Sequence, residues 1–309
     1  MKTHNYEKFP RVIVILVKSR LEALFYWPWS TAVGCLIAGG GFPPLKPTLM
    51  SIVSILFIAL SVYLYNDVID REMDSYSPMK KSRPLAANLV KVEDALKLIY
   101  VSGFIGLTIS LFINVYTFIL CLIYLFLFAI YSYPKIRLKK KLILKEASLS
   151  MGWPLCSLIG SYAVTGKFYL PALYAGTLFG IFTFFVNPAT NESMDVEEDR
   201  KFGVQSLGVV LNWKRKLQFL IFGFLFVMTI TPLTYVQFGF NMILPIVIVG
   251  ASLIFLRYAF SIVTRVEKST LTHELSQIEI RKAKRLMGAF LILFQILMVL
   301  GSLNISLFI

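Results

Sequence analysis

Histidine and cysteine are nearly missing from this chain of 309 residues, which has two of the first and three of the second. His4 and His273 stand in polar segments remote from each other, which excludes a haem held by a histidine pair, a histidine-ligated metal and a Ser-His-Asp triad. Cys35, Cys121 and Cys156 lie far apart inside apolar stretches, so neither a disulfide framework nor a zinc site is indicated. Charge is scarce as well: Asp, Glu, Lys and Arg make up 16% of the residues against 57% hydrophobic ones, a balance that excludes an ordinary water-soluble domain. No cleavable signal pattern is found, because the first apolar run starts only after Lys18 and Arg20 and is too long for a signal core. Catalysis, if any, is left to carboxylates and basic side chains.

What the chain does have is a series of apolar windows near 21–40, 48–65, 96–114, 116–133, 147–165, 169–187, 216–234, 241–262 and 287–307. Crossing the hydrocarbon core takes about 20 such residues in a helix. The sequence therefore predicts an all-α polytopic membrane protein, one domain over 1–309, with nine transmembrane helices enclosing a central cavity. Short links at 114–117, 166–167 and 235–239 predict tight helical hairpins, and Gly176 and Gly180 predict close helix approach. The mixed-charge segment 271–285 predicts a short cytoplasmic cap.

Basic residues sort by side once nine spans are assumed. The segments before 21 and at 71–97, 135–145, 200–216 and 265–285 carry nearly all of the Lys and Arg, while the opposite side holds Lys46 and Lys167. Arg257, inside the eighth window, is left over. By the positive-inside rule the N-terminus is expected in the cytoplasm and the C-terminus outside. The net charge of +14 is then mainly a topology signal, with attraction to anionic lipid second, and nucleic-acid binding is not indicated.

Two acidic clusters fall on that cytoplasmic side, each after the end of an apolar run. The first is Asn66-Asp67-Val68-Ile69-Asp70-Arg71-Glu72-Met73-Asp74 and the second Glu192-Ser193-Met194-Asp195-Val196-Glu197-Glu198-Asp199. On a helix Asn66, Asp70 and Asp74 share one face, as do Asp195 and Asp199. Like charges at that spacing weaken a helix by a few tenths of a kcal/mol, roughly, and an Asp at mid-membrane costs about 2.5–3.5 kcal/mol, so a counter-charge is expected. Mg2+ supplies one, being held by one or two carboxylates together with substrate phosphates. A polar loop facing water is the plainer reading of either cluster alone; their matched spacing favours metal binding.

The first cluster runs on to Arg83-Pro84-Leu85, the second to Arg200-Lys201-Phe202-Gly203-Val204-Gln205-Ser206-Leu207. Between them stands Tyr131-Ser132-Tyr133-Pro134-Lys135-Ile136-Arg137-Leu138-Lys139-Lys140. Together these segments resemble the UbiA family of intramembrane prenyltransferases over essentially the whole chain. That resemblance implies Mg2+-dependent transfer of a prenyl group from an allylic diphosphate to a lipophilic or aromatic acceptor, with release of pyrophosphate, at a cleft open to the bilayer. It implies Asn66, Asp70, Asp74, Glu192, Asp195 and Asp199 as metal ligands, and Arg137 and Lys139 beside the four aspartates as catalytic. Asn66, Asp67, Arg83, Tyr131, Lys135, Glu192 and Arg200 are the expected substrate-binding set.

Tyr131, Tyr133, Phe182, Phe184 and Phe185 are further aromatic candidates for steadying an allylic cation. Glu192 stands where many members have Asp, and Asn187-Pro188-Ala189-Thr190-Asn191 is an unfamiliar lead-in with an expected helix break. An aromatic quinone precursor such as 4-hydroxybenzoate is the first expected acceptor, and geranylgeranylglyceryl phosphate the alternative; protein partners are left open. An ion-coupled transporter is the rival from another class. A phospholipid-forming phosphotransferase is disfavoured because its Asp-Gly-x-x-Ala-Arg element is absent.

Overall fold

Each apolar window becomes a helix in the computed structural model, which describes residues 9–268 and 273–303. The helices are α1 (Phe9–Lys18), α2 (Leu21–Ala38), α3 (Leu45–Tyr76), α4 (Val92–Ile113), α5 (Val115–Ser132) and α6 (Leu144–Thr165), then α7 (Leu170–Val186) and two short ones, α8 (Val196–Lys201) and α9 (Leu207–Val210). Three more follow: α10 (Trp213–Thr234), α11 (Ile243–Lys268) and α12 (His273–Ser302). Among the described residues seven stretches are long and apolar enough to cross a bilayer: α3, α4, α5, Leu170–Met194, α10, Ile243–Ser261 and Ile278–Ser302. α2 contributes the shorter apolar stretch Ala23–Ala38.

α6 is not among those seven stretches, and its place explains why. It packs against α2, α5 and α7, so its serines and glycines meet protein rather than lipid. Ser157 donates to the Ala172 carbonyl at 2.7 Å, and a Cβ at Gly160 would stand 2.1 Å from the Thr31 carbonyl oxygen. Small residues give such helices close contact where apolarity supplies no driving force. Gly176 and Gly180 do the same from α7, their added Cβ atoms falling 2.6 Å from Pro154 Cα and from the Ser150 carbonyl oxygen.

The links behave as their residues dictate. Asn114 alone separates α4 from α5 and caps the second helix, its side chain accepting from Thr117 N at 2.8 Å. Gly166 ends α6 at φ 65°, a left-handed turn open to glycine. The expected cap at 271–285 takes a different form: residues 271 and 272 lie outside those described, and from His273 the segment is the first part of α12, which continues to Ser302. No proline interrupts that sequence, so the charged turns and the apolar ones share one axis. Phe179 and Phe182 of α7, Phe224 of α10 and Phe290 and Phe294 of α12 pack ring against ring and fasten the second half of the bundle.

Candidate active site

α3 runs eleven residues past the apolar window, and this extension carries the first acidic cluster. Asn66, Asp70 and Asp74 face one way at one-turn steps. Asn66 Nδ2 donates to Asp70 Oδ2 at 2.7 Å and to Ser132 Oγ at 3.0 Å. Asp70 is 3% exposed and is held by Arg137 at 2.9 Å and by Lys139; Asp74, 2% exposed, takes Arg83 Nη1 at 2.7 Å. The repulsion expected along this face is thus compensated by cations from two other segments. Arg137 reaches Asp70 from a backbone at φ 42°, which costs a non-glycine residue on the order of 1 kcal/mol.

The second cluster is built differently. Helix α7 stops at Val186, and turns at Asn187–Ala189 and Glu192–Met194 lead into α8, whose N-cap position is Asp195. Pro188 lacks the N–H that a continuing helix would need. Asp199 follows one turn later, its backbone N–H on the Asp195 carbonyl at 2.8 Å. Lys80 bridges Asp195 at 2.9 Å and Glu198 at 3.1 Å, while Lys145 holds Asp199 at 2.8 Å.

These two clusters line one cavity of about 180 Å³. Asn66, Asp70 and Asp74 stand on its α3 side with Asp195 and Asp199 among the other walls; Lys80, Arg83, Lys139 and Lys145 complete its charges, and Tyr131, Met73 and Val204 close it. Four carboxylates therefore meet four cations. Among the described residues no three Asp, Glu, His or Cys side chains are gathered as a ready-made metal cage. The donor set nevertheless fits Mg2+, which takes one or two carboxylate oxygens and completes its shell with phosphate and water. Burial lowers the Lys139 ammonium below the usual lysine range against the pull of Asp70. At Lys80 burial acts in the same direction but Asp195 and Glu198 outweigh it, so its charge is held above that range. Burial pushes the Glu198 carboxyl up, opposed by Lys80.

Several expected residues stand elsewhere. Asp67 points to Arg20 and Arg83 instead of the cavity, with Arg20 Nε on its Oδ2 at 2.7 Å. Glu192 is buried and accepts from Gly208 N at 2.8 Å, outside the cavity lining, because the break after α7 turns it toward α9. Lys135 and Arg200 are exposed and stand outside the cavity lining. Arg137 acts on the cavity through Asp70. Of the aromatic candidates Tyr131 lines the cavity, Tyr133 is exposed, and Phe184 and Phe185 pack on each other, Phe185 also on Phe219 and Phe222 of α10. Lys80 and Lys145 escaped the sequence reading, where each was one more positive-inside charge; the only hint for Lys80 is its place three residues before Arg83.

A second cavity of about 380 Å³ adjoins the first and shares Arg83 with it. Trp27, Tyr63, Trp153 and Phe182 form aromatic walls, and Asn187, Thr190 and Asn191 a polar edge. Trp27 Nε1 donates to Tyr63 Oη at 2.7 Å, and the Arg20 guanidinium lies 5.5 Å above the Tyr63 ring. Burial lowers Arg20 to about 10.

A family model described as the UbiA prenyltransferase family matches residues 28–275. The 4-hydroxybenzoate octaprenyltransferase of Shewanella oneidensis is 26% identical over 191 residues, 61% of this chain and 64% of that one, so the chain spans less than two thirds of that relative. The digeranylgeranylglyceryl phosphate synthase of Sulfurisphaera tokodaii is 30% identical over 200 residues, 65% of this chain and 69% of that one. Among solved structures, a UbiA homolog from Archaeoglobus fulgidus bound to GPP and Mg2+ superposes with TM-score 0.65 at 16% identity, over 91% of this chain and 99% of that one, which establishes a common all-helical fold. From the family match and the apolar helices together, the protein is an integral multi-pass membrane protein that belongs to the UbiA prenyltransferase family.

Proposed function

We propose that the protein transfers a prenyl group from an allylic prenyl diphosphate to a membrane-associated acceptor, using Mg2+ and releasing pyrophosphate. The observation that carries this reading is the meeting of Asp70 and Asp74 with Asp195 and Asp199 around one cavity, from segments more than a hundred residues apart. Named relatives that transfer prenyl groups, and a related fold holding GPP and Mg2+, support it.

In this mechanism Asp70, Asp74, Asp195 and Asp199, with Asn66, hold the metal, which when bound neutralises diphosphate oxygens. Lys80, Arg83, Lys139 and Lys145 turn from their carboxylates onto the diphosphate, and Arg137 supports the same wall. The carbon–oxygen bond breaks, its electron pair leaving with pyrophosphate; the acceptor forms the new bond to the allylic carbon and loses one proton to a pyrophosphate oxygen. Preorganised positive charge aimed at the leaving group is the main source of rate. Tyr131 offers a ring face to the developing cation. The second cavity receives the acceptor, its boundary with the first marked by Arg83.

The whole chain acts as one domain with nine passes around these cavities, the N-terminus and both acidic motifs cytoplasmic and the C-terminus outside; both extreme termini lie outside the described residues. An aromatic quinone precursor is the first acceptor class. Geranylgeranylglyceryl phosphate is the second, favoured by the Sulfurisphaera tokodaii relative, which is 30% identical. A transporter is disfavoured because the acids follow the apolar part of α3 instead of interrupting it. Purified protein is assayed with geranylgeranyl diphosphate against aromatic and glycerophosphate acceptors, with and without EDTA. Product that forms only with metal is expected; metal-independent turnover, or none with any acceptor, overturns the reading.

A further inference from the structure

Two buried carboxyl groups stand behind the second acidic segment, outside the lining of the acidic cavity. Glu146 of α6 accepts from Leu207 N at 2.6 Å, and Glu192 accepts from Gly208 N at 2.8 Å. These are the first two amides of α9, which a helix cannot satisfy from within. Ser206 holds the N-cap position, where a serine hydroxyl ordinarily accepts from an amide of the first turn, yet its side chain makes no capping hydrogen bond. Its Oγ donates instead to Asp199 Oδ2 at 3.3 Å. The approach of Glu192 depends on Gly208, because a Cβ there would overlap that of the glutamate. Glu192 is fixed in turn through Ser193, which donates to the Pro188 carbonyl at 2.6 Å and accepts from Lys216 at 2.9 Å.

The stretch that leads into this grip touches both halves of the site. Val204 lines the cavity and donates its N–H to the Asp199 carbonyl at 2.8 Å. Gln205 N donates to the Lys140 carbonyl at 3.1 Å, one residue from the Lys139 that holds Asp70.

We infer that Glu192 and Glu146 are positioning residues for prenyl transfer, and that Glu192 is not a metal ligand: by taking the amides of Leu207 and Gly208 they release the Ser206 hydroxyl to aim Asp199 into the cavity. The inference rests on the proposed prenyl transfer and specifies how one of its metal-holding aspartates is oriented. Lys145 holds Asp199 at 2.8 Å in the empty site, and in the proposed mechanism it turns onto the diphosphate. Asp199 then loses its cation as the metal arrives. Ser206 is the donor that stays, so the carboxylate keeps one direction through the exchange. Hydrogen bonds behind a ligand set its orientation and basicity, and losing one commonly costs about 10–100-fold in metal affinity or activity. Without the Glu192 carboxyl the Ser206 hydroxyl is drawn back to cap Gly208 N, and Asp199 is left unaimed. The longer reach of glutamate matters here, since it must span from its own turn to α9.

The test uses the full chain in nanodiscs, with steady-state prenyl transfer, melting temperature, and Mg2+ affinity titrated in the presence of an unreactive geranylgeranyl thiolodiphosphate. Glu192→Gln and Glu192→Asp separate the two roles, because glutamine keeps the reach and the accepting oxygen while aspartate keeps only the charge. Glutamine should retain most of the kcat and of the Mg2+ affinity, whereas aspartate and alanine should lower kcat by about 10–100-fold. A metal ligand would show the reverse order, and that order overturns the inference. Ser206→Ala should lower kcat by about tenfold at an unchanged melting temperature and an unchanged acceptor KM. Wild-type kcat in Ser206→Ala, or a Glu192→Ala protein that loses only thermal stability, shows the glutamates to be scaffold alone and overturns the inference while prenyl transfer stands. Absence of Mg2+-dependent thiolodiphosphate binding by the unaltered protein overturns prenyl transfer itself, and the inference with it.

Discussion

Two adjoining cavities share one arginine and have opposite electrical designs. In the smaller one Asp70, Asp74, Asp195 and Asp199 face Lys80, Arg83, Lys139 and Lys145, so the walls are neutral before any ligand arrives. In the larger one three cations line aromatic walls with no acid among them. A neutral wall made of paired opposite charges suits a ligand that brings both signs, such as a metal diphosphate: each carboxylate has a cation to exchange and each lysine an anion. A one-signed wall suits a ligand that brings a single negative group. Charge balance thus separates the two cavities more sharply than size does.

The comparison breaks most severely at the aspartates. Asp70→Ala and Asp195→Ala are each expected to lower prenyl transfer by roughly 10³-fold or more, while acceptor binding measured by titration persists. Retained turnover in both variants would mean that the neutral cavity is not where reaction occurs. Asp67→Ala probes the larger cavity's frame: it leaves Arg20, which is 8% exposed, without its partner and should cost about 3–5 kcal/mol, read as a clear fall in melting temperature. Melting at the wild-type temperature would show that the Arg20–Asp67 pair does not hold that wall.

Lys80→Gln sharpens the contrast because its two effects have opposite signs. Asp195 and Glu198 lose their cation, so Mg2+ alone should bind more tightly, while the KM for prenyl diphosphate rises by about tenfold. Two shifts in the same direction would rule out exchange of Lys80 between carboxylate and phosphate. The smallest effects are expected at Lys135 and Arg200, exposed and outside the lining of both cavities, where alanine should change activity less than about threefold and stability within about 0.5 kcal/mol. A large loss at either would extend the site to the surface.

The acidic motif on α3 was legible because two signals coincide there: a long apolar run that forces a helix, and oxygen side chains at four-residue steps along its continuation. The second motif was legible as chemistry but less so as geometry. Asp195 and Asp199 keep their one-turn relation, yet Glu192 belongs to a separate turn, and a motif written in a line does not reveal that Pro188 redirects the chain before it. The pairing of Arg20 with Asp67, 47 residues apart, leaves no local trace at all. Lys80 and Lys145 were hidden for another reason: in a chain whose loops on one side are basic throughout, a lysine that lines the cavity resembles every other loop lysine. α6 was visible as an apolar window, but its serines and glycines mark a central helix only once α2 and α7 are seen on either side.

α3 carries membrane anchor and acidic rungs on one unbroken rod of 32 residues, about 48 Å long against a hydrocarbon core of about 30 Å. With no hinge between Leu64 and Asn66, the depth at which Asp70 and Asp74 stand is set by how far the apolar part sinks into lipid. Bilayer thickness therefore acts as a positional adjustment for the acidic cavity. One added helical turn in the apolar part would displace these two side chains by about 5.4 Å from Asp195 and Asp199, and the halves of the site would no longer meet at the same level.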